Sequence, residues 1–163
     1  EASPPLQPPP LALALPPNRF LLADGGWSAD GLLVNGGSVT LVSSGGGGAM
    51  LDAQGAGRMF RVTDGNLTLR NVELVNGKLV NGNQDQGGMV YAYATSGSTV
   101  VVQLVHCQLT HSSASGSYYA QGGMVFTRAE SSGSTIVQLQ HCQLTNSSAS
   151  GSYSAEGGLV YAY

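Results

Sequence analysis

Apolar and polar residues alternate with period two along much of this chain, and the alternation slips by one residue at a fixed place. In Leu67-Thr68-Leu69-Arg70-Asn71-Val72-Glu73-Leu74 the apolar set is Leu67, Leu69, Val72 and Leu74. The set returns at Val102, Leu104, Cys107 and Leu109, and again at Val137, Leu139, Cys142 and Leu144, at a spacing of 35 residues. Period two sends alternate side chains to opposite faces of a strand. Two residues separate the second and third members of each set, so the strand must bend there. The bend carries Asn71, His106 and His141. Short strands with one buried face, turning at constant positions, are the predicted elements.

The slip belongs to a longer repetition. Gln86-Gly87-Gly88-Met89-Val90 returns as Gln121-Gly122-Gly123-Met124-Val125, and Ser112-Ser113-Ala114-Ser115-Gly116-Ser117-Tyr118 returns from Ser147 to Tyr153. Gly97-Ser98-Thr99 returns as Gly133-Ser134-Thr135, one residue out of step. Upstream, Gly57-Arg58-Met59-Phe60-Arg61-Val62 aligns with Gly87 to Ala92 at the shorter spacing of 30. Self-similarity at a fixed period signals a repeat architecture, in which each unit buries its apolar face against its neighbours. The units are residues 57–86, 87–121 and 122–156, with a partial fourth at 157–163.

Residues 18–56 read as an irregular first part of the same array. Strand-like runs at Leu32-Leu33-Val34, Val39-Thr40-Leu41-Val42 and Ala49-Met50-Leu51 lie between turns at Asp24-Gly25-Gly26 and Asn35-Gly36-Gly37 and a loop at Gly45 to Gly48. Residues 1–17 hold all seven prolines. Proline fixes φ and removes a donor, so this segment reads as an extended polyproline-II arm. Within it Leu11-Ala12-Leu13-Ala14-Leu15 alternates and is a short-strand candidate, and the segment reads either as a linker or as an arm that docks on another chain or on a glycan.

Short strands, constant bends and no helical period predict an all-β fold, a right-handed parallel β-helix of about 35-residue coils. A β-sandwich is the alternative, but a sandwich has no need to repeat side chains at constant positions. The succession Gly57-Arg58-Met59-Phe60-Arg61-Val62, Gly65-Asn66-Leu67-Thr68-Leu69-Arg70-Asn71-Val72 and Asn76-Gly77 resembles pectin-lyase-like right-handed β-helix proteins. The Gly-Gly-Met-Val-Tyr and Leu-x-His-Cys-x-Leu-Thr-x-Ser-Ser-Ala units are similar to repeats of chlamydial polymorphic outer-membrane proteins and related surface β-helices. The resemblance covers roughly residues 31–163. It implies the fold, and a function among lyases, adhesins and structural proteins. In these families the bend usually carries Asn, where this chain has His106 and His141.

Composition narrows the function. Only 9% of residues are charged, against about 25% in ordinary domains. Six Lys and Arg, scattered singly, give no basic stripe for nucleic acid. No apolar run approaches the ~20 residues of a membrane span. The chain begins at Glu1, which points to a processed or partial chain. In the repeat register none of the nine acids stacks on another, so the paired carboxylates of glycoside hydrolysis are not expected. The expectation is no enzyme, no metal and no cofactor.

Four groups of residues remain as candidates. Cys107 and Cys142 share an inward column, as stacked thiols or as a disulfide in an oxidising compartment. Met89, Tyr91, Tyr93, Met124, Phe126, Leu159, Tyr161 and Tyr163 share one strand parity with Arg61 and Arg128. Arginine is rarely buried, so this parity is expected to face outward as an apolar strip for a partner or a sugar, unless long loops cover it. Asn66-Leu67-Thr68 and Asn146-Ser147-Ser148 are N-glycosylation sequons. The extensin-like Ser3-Pro4-Pro5 run suggests O-glycosylated hydroxyproline among Pro4, Pro5, Pro8, Pro9, Pro10, Pro16 and Pro17. These features point to an extracellular structural glycoprotein that assembles head to tail into a surface fibre, wall or sheath. The alternatives are a module that binds surface polysaccharide and a polysaccharide lyase or hydrolase.

Overall fold

The computed structural model describes residues 11–16, 19–21, 31–44, 48–80, 84–116, 119–151, 154–156 and 159–162. The expected turn at residues 24–26, six of the seven prolines and Tyr163 lie outside them. Strands β1 (Leu11–Leu15), β2 (Arg19–Leu21), β3 (Leu32–Ser43) and β4 (Ala49–Asp52) precede the regular repeats. The first repeat gives β5 (Phe60–Arg70), β6 (Val72–Val75), β7 (Lys78–Val80) and β8 (Gln84–Gln86). The second gives β9 (Val90–Ala94), β10 (Thr99–Val105), β11 (Gln108–Gly116) and β12 (Tyr119–Gln121). The third gives β13 (Val125–Ala129), β14 (Ser134–Gln140), β15 (Gln143–Gly151) and β16 (Ser154–Glu156), and β17 (Val160–Ala162) opens the fourth. Among the described residues there is no helix, and so none long and apolar enough to cross a membrane.

The fold is all-β, and among the described residues every strand pair is parallel. One sheet runs β1-β3-β5-β9-β13-β17, with β10 pairing both β5 and β14. A second runs β15-β11-β6-β4-β2, with β7 on β11, and a third runs β16-β12-β8. Each strand therefore pairs with its counterpart one repeat away. Val102 stands beside Leu67 on one side and Val137 on the other, and Leu109 beside Leu74 and Leu144. The shorter spacing at the start of the first repeat is also real, since Phe60 pairs with Val90. Its cause is a turn. β5 runs straight through, whereas the later repeats insert a turn between β9 and β10 and between β13 and β14, closed by Ser98 N–H to the Thr95 carbonyl and Gly133 N–H to the Glu130 carbonyl.

That turn also corrects one alignment. Thr99 pairs with Ser134, so the displaced Gly-Ser-Thr motif involves no inserted residue. The turn keeps its length while its positive φ moves from Gly97 to Ser131.

Leu67, Leu69, Val72, Leu74, Val102, Leu104, Cys107 and Leu109 are all buried. The bends take the left-handed backbone conformation at Gly48, Asn71, His106 and His141, with φ of 71°, 53°, 53° and 52°. Asn and His are among the few side chains enriched there. Pairing continues across the bend, because the Asn71 N–H donates to the Val105 carbonyl and the His106 N–H to the Gln140 carbonyl.

The first strand corrects the expected arm. Leu11 to Leu15 pairs in register with Val39 to Ser43 of the same chain, so this part of the Pro-rich segment is a rung of the chain's own sheet. The bulge at Asn35-Gly36-Gly37 lies against β5 at Gly65, where an added Cβ would fall 2.1 Å from the Gly37 carbonyl oxygen. Only glycine fits there.

Position along the stack decides what a substitution costs. Leu104 is fully buried between rungs, whereas its counterpart Leu139 is 38% exposed on the last long rung described. An unpaired buried carboxylate costs several kcal/mol, comparable to about 5–15 kcal/mol of total stability. Leu104→Asp is expected to abolish the cooperative melting transition, and Leu139→Asp to shift it by about 1 kcal/mol or less. Circular-dichroism melts of the two variants check this; equal effects would refute the register.

Candidate functional site

The outer surface carries chemistry in columns, because each bend sets its residue beside the equivalent one on the next rung. His106 and His141 are both exposed, with ring centroids 5.0 Å apart and planes at 39°. A second bend column, which the alternation also marks by the two residues between Leu109 and Ser112, holds Asn76, His111 and Asn146 at φ of 59°, 56° and 55°. There Asn146 Nδ2 lies 3.4 Å from His111 Nε2. One rung below, Asn76 Nδ2 donates to Asp52 Oδ1 at 2.9 Å, and the Gln54 N–H donates to the same oxygen at 2.8 Å. Asp52 is buried, and its carboxylate fixes the backbone around this corner.

The cysteines face the other way. Cys107 is buried and Cys142 half-buried, and both are free thiols. Each Sγ lies against a carbonyl oxygen of the preceding rung, Cys107 at 3.4 Å from Leu69 and Cys142 at 3.2 Å from Leu104. Burial pushes the Cys107 thiol above its ordinary range, partly opposed by a backbone hydrogen bond from Val72. The His and Cys of each pair thus point to opposite sides of the sheet. No group of three His, Cys, Asp or Glu among the described residues converges as metal ligands.

The expected outward strip needs correction. Met89 and Met124 are buried, as are Val90 and Val125 beside them. Strict alternation fails because the chain turns a corner at each Met. The Met89 carbonyl accepts from the N–H of both Met59 and Phe60, and the Met124 carbonyl from both Met89 and Val90. Two consecutive side chains then point inward. Phe126 has outward parity but is only 1% exposed. Its ring stacks on Tyr91, with centroids 5.4 Å apart and planes at 8°, and β17 pairs with its strand on the other side.

The Arg58 guanidinium lies 4.5 Å from the Tyr91 ring centroid, while its Nε donates to the Gly87 carbonyl at 3.0 Å. Arg61 lies 5.9 Å from the same ring. What remains of the strip is a half-buried Tyr91–Tyr93 pair, centroids 6.1 Å apart, next to an Arg128–Glu130 ion pair at 3.0 Å. Leu159 is exposed, on the last rung described. The Tyr161 side chain and Tyr163 fall outside the described residues.

Both sequon asparagines are exposed. Asn66 Nδ2 donates to Ser38 Oγ at 3.0 Å, and Asn146 stands at the second bend. Two shallow polar grooves flank these features. One, of about 390 Å³, is lined by Asp52, Asn76, Lys78, His111 and Ser113. The other, of about 570 Å³, runs between the 36–38 bulge, residues 64–66 and the turn at 96–99. Each contains a single carboxylate.

Set against known proteins, this chain matches no family model, no curated protein and no solved structure.

Burial raises the Tyr91 hydroxyl above its ordinary value, opposed in part by Arg58 and Arg61, and a hydrogen bond with Glu130 raises that of Tyr93. A group that holds its proton more tightly when folded adds stability below its unfolded pKa. That stability is lost as pH rises through the folded value. The melting temperature is therefore expected to fall above about pH 10. Tyr91→Phe should reduce that fall; a variant losing as much as the parent would place Tyr91 in solvent.

Proposed function

We propose that the chain is a right-handed parallel β-helix serving as an extracellular structural element, a building block that stacks end to end in a surface fibre, wall or sheath. The observation that carries this reading is the register. Like side chains sit on like side chains across successive repeats, so each rung offers the next the same column that it receives. Leu69 and Leu104 are fully buried, while their counterpart Leu139, on the last long rung described, is 38% exposed and Val137 and Leu144 are half-buried. In an end-to-end stack, a rung of a second copy in the same register covers such a column by the contacts that hold the interior rungs. Such head-to-tail contacts propagate when the rotation does not close.

The lone acids in the grooves and the dispersed arginines favour a structural over a polysaccharide-cleaving role. Exposed Asn66 and Asn146 are the acceptors for covalent glycans. Negative-stain microscopy and sedimentation of the chain should reveal elongated particles whose length grows with concentration. Intact mass should exceed that of the bare 16.6 kDa polypeptide when the protein is taken from its native secretory source. Monodisperse, unmodified monomers at all concentrations would overturn both parts.

The Tyr91–Tyr93 pair beside Arg128 and Glu130 favours a second reading, adhesion to a surface polysaccharide by ring stacking. Tyr91→Ala with Tyr93→Ala should then abolish retention on insoluble polysaccharide without shortening the particles. Unchanged retention would remove this reading.

A further inference from the structure

We propose that His106 and His141 form a surface site for one divalent transition-metal ion of the imidazole-preferring class, Ni²⁺, Cu²⁺ or Zn²⁺, with water completing its shell. Three features carry this. The two residues occupy the same bend on adjacent paired strands, since Val105 pairs with Gln140 immediately before them and Gln108 with Gln143 just after. The backbone holds both in the same conformation, at φ of 53° and 52°, so their Cβ atoms leave the corner in parallel. Both rings are exposed, with centroids 5.0 Å apart.

Imidazole–metal bonds of about 2.0–2.1 Å place two ligating nitrogens about 3 Å apart. Rings 5.0 Å apart reach that geometry by converging at their tips, a rotation that exposed side chains make without moving backbone. Imidazole suits these metals, and their affinities rise towards Cu²⁺. With no third side-chain ligand converging among the described residues, the site is open and water-rich. Cys107 and Cys142 cannot join it, since they lie on the inner face. An ion held there ties two successive rungs together at the corner where the strand bends.

The site is independent of end-to-end stacking and can be tested on the monomeric chain. The probe is Ni²⁺ alone, added to untagged protein and followed by titration calorimetry and by proton NMR of the histidine rings. Variants follow the chain's own pattern, because Asn71 fills the same bend one repeat earlier at the same φ. His106→Asn and His141→Asn therefore preserve the backbone. Two ligands fixed on one scaffold bind a common ion cooperatively, so either substitution should weaken Ni²⁺ binding by roughly a hundredfold. His111→Asn should leave it unchanged. In the parent, substoichiometric Ni²⁺ should broaden the His106 and His141 ring signals together and spare those of His111. No heat of binding at millimolar Ni²⁺, equal affinity in the double variant, or broadening of all three histidines alike would overturn the proposal.

Discussion

The structure depends on one constraint, the parallel pairing of each strand with its own counterpart in the next repeat. Parallel strands lie about 4.8 Å apart with every N–H and C=O directed at the neighbouring strand. A chain that pairs this way at a fixed offset places every residue beside its equivalent. Each column of the surface and of the interior must then accept its own chemistry twice or more. Leu74, Leu109 and Leu144 do this inside, and Thr68, Gln103 and Gln138 outside, the last two joined by an amide hydrogen bond of 2.7 Å.

The same constraint accounts for the low charge. Like charges about 5 Å apart repel by roughly 1 kcal/mol even in water, and directly opposed like charges destabilise a sheet. Each charge here is diluted within its column. Glu73 stands between Met50 and Gln108, with Gln143 beyond. Arg70 stands between Val42 and Val105, and Lys78 pairs with Ser113. In each of these columns the charge has neutral neighbours on both sides where both are described.

Much of this was legible in the residues. Period two, the double step before Val72, Cys107 and Cys142, and the 35-residue spacing are direct consequences of pleat, bend and pairing, so the inner column could be read by position. The Met corner was not legible, because alternation assumes an extended chain. A carbonyl accepting from two successive N–H groups breaks that assumption, burying Met89 together with Val90. The Arg58 contact with Tyr91 was also hidden, since it joins residues whose pairing spacing gives no hint that a side chain crosses between them. The second bend at Asn76, His111 and Asn146 left a signal, two residues between Leu109 and Ser112, but serine is too weakly apolar to mark the inner face by itself.

Where the fold fixes backbone and leaves side chains free, chemistry can vary without cost to stability. The outward bends are such places. Their left-handed conformation restricts the residue to glycine, Asn, His and a few others, and the same restriction holds on every rung. Gly48, Asn71, His106 and His141 all satisfy it, so the backbone cannot be what selects histidine in the later repeats. Among the described residues, histidine is also the only basic side chain that the stack places on its own kind. A stacked pair of guanidinium or ammonium groups would incur the repulsion of two permanent charges. A column open to histidine and closed to stacked permanent cations is one in which ring nitrogens are gathered at the surface.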